Sequence, residues 1–267
     1  MKKGISLEGL KLIACVTMLI DHIGYEVIYA LYLNATVGSG EWVPGNMLPG
    51  DLYRLYYLCR IIGRLSLPIF AFLLVEGIHH TRNRNRYAIR LAIGAVLSEI
   101  PYDLIVSGEI FWQEQSIMVT LLLGYFAVLT MERCRTLAWK PLAAVPFVIL
   151  GELLKADYGW QGVMLVVLFE LSRYVYSRNL VRLGGMLVLF HTMDTSLIWI
   201  GNVSIPMQAM GALAMVFIVG YDGRKVTNSK AIQWAFYLFY PLHLLILWAI
   251  GLVIAGTPMA GITLLAG

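Results

Sequence analysis

Charge is scarce in this chain. Lys, Arg, Asp and Glu make up 13% of its 267 residues against 59% hydrophobic ones, and the mean hydropathy is +0.74. No polar stretch is long enough to form a soluble domain, and no internal repeat or low-complexity segment interrupts the pattern. The net charge of +4 therefore has no basic domain through which to act on nucleic acid. Cysteine is scarce too. Cys15, Cys59 and Cys134 fall in apolar runs or on one side of them, which argues against a structural disulfide. The five histidines lie on separate segments, apart from the adjacent His79 and His80, and no Cys/His cluster has metal-ligand spacing. What the chain does have is apolar runs of roughly 20 residues, recurring between short polar breaks, which is the signature of membrane-spanning helices.

The expected fold is an all-α integral membrane protein, one polytopic domain over residues 1–267 with about nine helices, some kinked at proline. The spans fall near 7–33, 52–78, 86–106, 116–132, 141–154, 160–176, 180–192, 204–221 and 231–255. The first run is too long for a signal-peptide core and carries Asp21 and His22, so it reads as a retained helix. Basic residues alternate strictly between the breaks. One set holds Lys2, Lys3, Arg82, Arg84, Arg86, Arg90, Arg133, Arg135, Lys140, Arg173, Arg178, Arg182, Arg224, Lys225 and Lys230. The other holds Glu41, Asp51, Glu109, Glu114, Asp157 and Asp194 with Lys155 alone as a cation. The positive-inside rule then puts the N-terminus in the cytoplasm and the C-terminus outside.

Ionisable residues in the middle of a span cost roughly 2.5–3.5 kcal/mol each on insertion scales, and they mark sites. The first helix carries Asp21 and His22 near its centre. Lys11 and His22, eleven residues apart, fall within about 20° of each other and about 16 Å apart along the axis. Glu26 is one turn beyond His22. A histidine flanked by Asp21 and Glu26 suits general-base work, with a carboxylate orienting the imidazole; a histidine merely satisfied by a neighbouring helix is the plain alternative. Arg60 and Arg64 share one face of the second span and need either anionic ligands or buried acids such as Glu99 or Glu152. Pro68 is expected to kink that span, and Pro101 to loosen the backbone beside Glu99. Glu76 closes the second span before the Arg82–Arg90 break, which serves as a topology anchor or as a phosphate site. Tyr240 and His243 share a face beside Pro241 in the last span.

Several blocks of this chain resemble the TraX family of membrane proteins. They are Leu19-Ile20-Asp21-His22-Ile23-Gly24, the stretch from Gly63 to Gly77, Ser98-Glu99-Ile100-Pro101-Tyr102-Asp103, Asp157-Tyr158-Gly159, and the stretch from Phe236 to His243. The resemblance implies a bacterial cytoplasmic-membrane protein that transfers an acetyl group from acetyl-CoA, in that family to a pilin subunit. It also implies kinship with the acyltransferase-3 proteins, whose first helix carries Arg, ten residues, then His; here Lys11 stands in for that Arg, and His22 maps onto the catalytic histidine.

The expected function is thus a membrane acetyltransferase. Acetyl-CoA is the donor, with its phosphates on Lys11, Arg60, Arg64, Arg82 or Arg84. His22 is the base or a transient acetyl carrier, Asp21 and Glu26 are its partners, and Glu76, Glu99, Tyr240 and His243 support the site. Arg60 and Arg64 can equally serve a developing oxyanion. The acceptor, a pilin amine, a glycan or lipid hydroxyl or a small amino compound, stays open. No metal or nucleic acid is expected. A proton-coupled transporter built on the same buried Asp, His, Glu and Arg is the alternative.

Overall fold

The computed structural model describes residues 4–36, 49–110, 113–193, 197–200, 202–227 and 229–255. Lys2, Lys3, Glu41 and Asp194 lie outside the described residues. The fold is built on helices. The first span is α1 (Leu7–Ile23), a π-turn (Gly24–Ile28) and α2 (Tyr29–Thr36), one continuous rod in which Ser6 caps the start by accepting from Gly9 N. The second is α3 (Pro49–Gly63) and α4 (Ser66–His80), broken at Arg64–Leu65. Pro68 thus sits in the first turn of α4, where its missing N–H costs nothing, and the break precedes it. Then follow α5 (Arg84–Val106), α6 (Ile117–Arg133), α7 (Lys140–Leu153), α8 (Gly159–Ser172) and α9 (Arg178–His191), and the last described helix is α11 (Lys230–Ala255).

The expected eighth span, 204–221, differs. An antiparallel hairpin of β1 (Leu197–Ile200) and β2 (Val203–Pro206) leads into a 3-10 segment (Met207–Ala214) and the short α10 (Met215–Val219). Pro206, without an N–H, closes the strand and keeps a regular helix from starting earlier. Among the described residues, three helical rods are long and apolar enough to cross a bilayer: Leu7–Thr36, Pro49–His80 and Ala231–Ile254.

The outer surface carries aliphatic side chains, with Val253 86%, Val96 73%, Leu180 72% and Leu153 71% exposed. A water-facing surface rarely shows so much apolar area, whereas a lipid-facing one requires it. Inside, Leu10, Phe72, Tyr125, Phe169 and Phe190 anchor one core among α1, α4, α6, α8 and α9. Helices approach closely where glycine allows it. Gly124 faces Val166, and a Cβ on Gly24 would stand 2.5 Å from Cys59 Cβ.

The polar breaks gather into the two sets expected from charge. Ile5 N donates to Gly220 O and Leu7 N to Arg224 O; Arg84 pairs with Glu132 and Arg173 with Glu76. In the other set, Gln115 N donates to Lys155 O and Gln161 Nε2 to Thr192 O.

Candidate active site

α1, α3, α4, α5, α6 and α11 enclose a cavity of about 360 Å³. Lys11, Asp21, His22, Arg60, Arg64, Asp157, Tyr158 and Tyr240 line it, together with an aromatic wall that includes Tyr25, Phe70, Tyr87, Tyr102, Phe236 and Tyr237. The helical spacing of Lys11 and His22 therefore does what it implies: both side chains reach one hollow, Lys11 nearer the basic end and His22 deeper.

The partners of His22 fix its tautomer. Its Nδ1 lies 2.8 Å from Met18 O, a pure acceptor, so Nδ1 carries the hydrogen. His243 Nδ1 lies 2.7 Å from Phe239 O and is protonated for the same reason. The bare Nε2 of His243 then faces His22 Nδ1 at 3.3 Å, with the rings edge-on at 5.0 Å. Two acceptors share the His22 Nδ1 hydrogen, and the His22 Nε2 lone pair is left without a hydrogen-bond partner among the described residues. An imidazole so arranged can take a proton at Nε2.

Asp21 does not orient this ring. Arg60 Nη1 donates to its Oδ2 at 2.7 Å, and Arg64 Nη2 donates to Oδ1 at 3.1 Å. The pairing is enforced by a close helix contact, because a Cβ on Gly63 of α3 would overlap Asp21 itself. The two arginines differ in what they have left. Arg64 spends its donors on Asp21, Gln208 Oε1 at 2.9 Å, Tyr158 Oη at 3.4 Å and Arg60 O at 3.1 Å. Among the described residues the Arg60 side chain donates only to Asp21 and lies over the Tyr25 ring, which leaves donors for the cavity. Asp21, not Glu99 or Glu152, is the acid that pairs with both.

Glu26 leaves the cavity. The π-turn after His22 widens the helix by one residue per turn and breaks the expected i, i+4 alignment. The Glu26 carboxylate packs on Gly251 of α11, 2% exposed. Glu99 accepts from Ser116 N and from Ser116 Oγ at 2.7 Å, which stabilises the start of α6. Tyr240 lines the cavity. Glu76 and Arg84 belong to another cluster at the basic end, where Glu76 pairs with Arg173 and Arg84 with Glu132, while His79 Nε2 meets Glu170 Oε2 at 2.7 Å. Arg82 is exposed. Neither arginine lines the cavity.

The floor of the cavity comes from the α7–α8 turn. Tyr158 sits in the left-handed region (φ 63°) and projects its hydroxyl to Arg64, while Thr120 Oγ1 donates to Asp157 O. Asp157 and Tyr158 also line a more open hollow of about 380 Å³ with Glu114, Glu152, Lys155 and Gln161. The two hollows thus share a wall. Burial pushes the Asp157 carboxyl up to about 7, with Arg64 pulling it down. Sequence reasoning missed Gln208, for which only its burial beside Arg64 gives a reason. No group of three or more metal-ligating side chains occurs among the described residues.

Comparison with known proteins covers this whole assembly. The probable fimbrial assembly protein FimC, serogroup H1, of Dichelobacter nodosus is 29% identical over 257 residues, spanning 89% of this chain and 92% of that protein. No solved structure matches. The family model described as "TraX protein" matches residues 6–251, a stretch that holds both histidines, Lys11 and the Asp21–Arg60–Arg64 cluster. This chain, cavity included, belongs to the TraX family.

Proposed function

We propose that the protein is a membrane-embedded acetyltransferase, one domain of about nine crossings in a bacterial cytoplasmic membrane with its N-terminus in the cytoplasm. Acetyl-CoA enters from the basic end, and the acceptor is an amine or a hydroxyl. One observation carries the reading. His22 has its Nδ1 hydrogen held by Met18 O and faced by His243, and its Nε2 lone pair, unpartnered among the described residues, sits on the wall of a largely aromatic cavity. The similarity to a fimbrial assembly protein supports a pilin-type acceptor.

In this mechanism the acceptor N–H or O–H gives its proton to His22 Nε2. The acceptor atom attacks the thioester carbonyl, and Arg60, with donors beyond Asp21, stabilises the oxyanion. The C–S bond then breaks, and the imidazolium returns the proton to the departing thiolate. His243 keeps Nδ1 protonated throughout, so that the same nitrogen serves in every turnover.

The test compares wild type with His22→Ala in acetyl-CoA binding and turnover. Saturable binding by both, with turnover only in wild type, is the expected result. Turnover by a folded His22→Ala protein removes His22 from the mechanism. Absence of acetyl-CoA binding by both folded proteins overturns the enzyme and leaves the buried charges to a proton-coupled transporter.

A further inference from the structure

Two cations at the basic end, Lys11 on the cavity wall and Arg90 against its aromatic lining, have no carboxylate within salt-bridge distance among the described residues. Lys11 Nζ lies over the Phe236 ring at 5.3 Å. The Arg90 guanidinium lies over Tyr87 at 5.7 Å and over Tyr237 at 5.8 Å. All three rings line the cavity beside Lys11. The Arg90 Nε is buried without a hydrogen-bond partner among the described residues. The acid that acts on Lys11 is Glu8, and its carboxylate is engaged by the backbone amides of Val226 (2.9 Å) and Thr227 (3.4 Å).

Four other arginines are matched by acids, Arg60 and Arg64 by Asp21, Arg84 by Glu132 and Arg173 by Glu76, whereas the buried Arg182 bonds Ser172 Oγ and rests on Phe72 and Phe169 away from the cavity wall. Lys11 feels Glu8 as its acid but also the positive charges of Lys225 and Arg90, and like charges gathered this way cost free energy that an anion relieves. The rings on which Lys11 and Arg90 rest hold them in place without neutralising them.

We infer that Lys11 and Arg90 form an anion subsite for the phosphate-bearing part of a soluble donor. Arg90 supplies the planar fork and Lys11 the point charge. The inference rests on reading the cavity as the donor site. It also separates the work of the basic residues. Phosphates bind at Arg90 and Lys11. Arg60 and Arg64, about ten residues of helix deeper, or roughly 15 Å, are left to the reacting end.

The experiment uses the full chain in phosphatidylcholine nanodiscs, with coenzyme A, pyrophosphate and pantetheine as probes. Arg90→Gln is expected to weaken coenzyme A and pyrophosphate by roughly 10- to 100-fold, the worth of one charge-assisted hydrogen bond or two. Pantetheine, which has no phosphate, should bind unchanged, and that contrast separates lost recognition from lost folding. Arg90→Lys should fall between. Coenzyme A binding as tight in Arg90→Gln as in wild type overturns the subsite. So does failure of wild type to bind either coenzyme A or pyrophosphate. If phosphatidylglycerol in the disc displaces coenzyme A from wild type, the anion is a lipid headgroup and the soluble-donor assignment is overturned. Pyrophosphate binding lost in Arg90→Gln, with no coenzyme A binding in wild type, upholds the subsite and refutes the acetyltransferase instead.

Discussion

Asp21→Asn separates a structural carboxylate from a catalytic one. The change keeps the volume and leaves one oxygen to accept a bond, so no cavity opens. What it removes is the carboxylate that pairs with both Arg60 and Arg64. The side chains of Asp21, Arg60 and Arg64 are 12%, 22% and 8% exposed, so water does little to replace it. Removing one partner of a buried pair costs about 3–5 kcal/mol. At about 2–4 °C per kcal/mol for a chain of this size, the melting temperature should fall by roughly 6–20 °C. Thermal unfolding of the detergent-solubilised protein, followed by intrinsic fluorescence, measures it. The double variant Asp21→Asn/Arg60→Gln, which also removes one of the two stranded cations, should recover part of the loss, with a coupling of at least about 0.5 kcal/mol. A melting temperature within about 1 °C of wild type, together with lost acetyl transfer, refutes the clamp and returns Asp21 to the chemistry.

Two further outcomes follow from the packing and the charge. Gly63→Ala drives a methyl group into Asp21 at the α1–α3 contact, where the blocking atoms include Asp21 Cβ and cannot swing aside; overpacking of this kind costs about 1–3 kcal/mol, visible as a lower melting temperature than that of the control Gly184→Ala, a position with open space around it. Asp157, raised from 3.8 to about 7 by burial, is favoured protonated in the fold, so its contribution to stability is complete below pH 3.8 and is lost as pH rises through 7. The stability of wild type relative to Asp157→Asn should therefore decline across that window and level off above it; a difference independent of pH would show that Asp157 is solvated.

Much of this architecture is legible in the sequence because a bilayer imposes strong rules. Apolar length marks the rods, and the alternation of basic breaks sorts them into two ends. The Lys11–His22 spacing predicts a shared face, and the cavity bears it out. Local irregularity is what the sequence conceals. No pattern announces the π-turn at Gly24–Ile28, yet it sends Glu26 to Gly251 instead of to His22. The residues 204–221 have the hydropathy of a span, but hydropathy does not record that Pro206 ends a strand. Pairing is the other blind spot. Composition leaves Arg60 and Arg64 open to an anionic ligand or a buried acid, and only packing against Gly63 reveals that the acid is Asp21, which claims both. By the same token Glu76, Glu99 and Arg84 read as site residues until their partners Arg173, Ser116 and Glu132 appear.

The contact between His22 and His243 joins residues 221 positions apart, and Phe236, Tyr237 and Tyr240 close the cavity from the same last helix. On the ribosome, a nascent chain that has inserted everything up to α10 therefore owns the base but neither its neighbour nor the wall that excludes lipid. On the proposed acetyltransferase reading, competence then waits for α11 to dock against α1 and α5, and a protein cleaved before residue 230 would be inert.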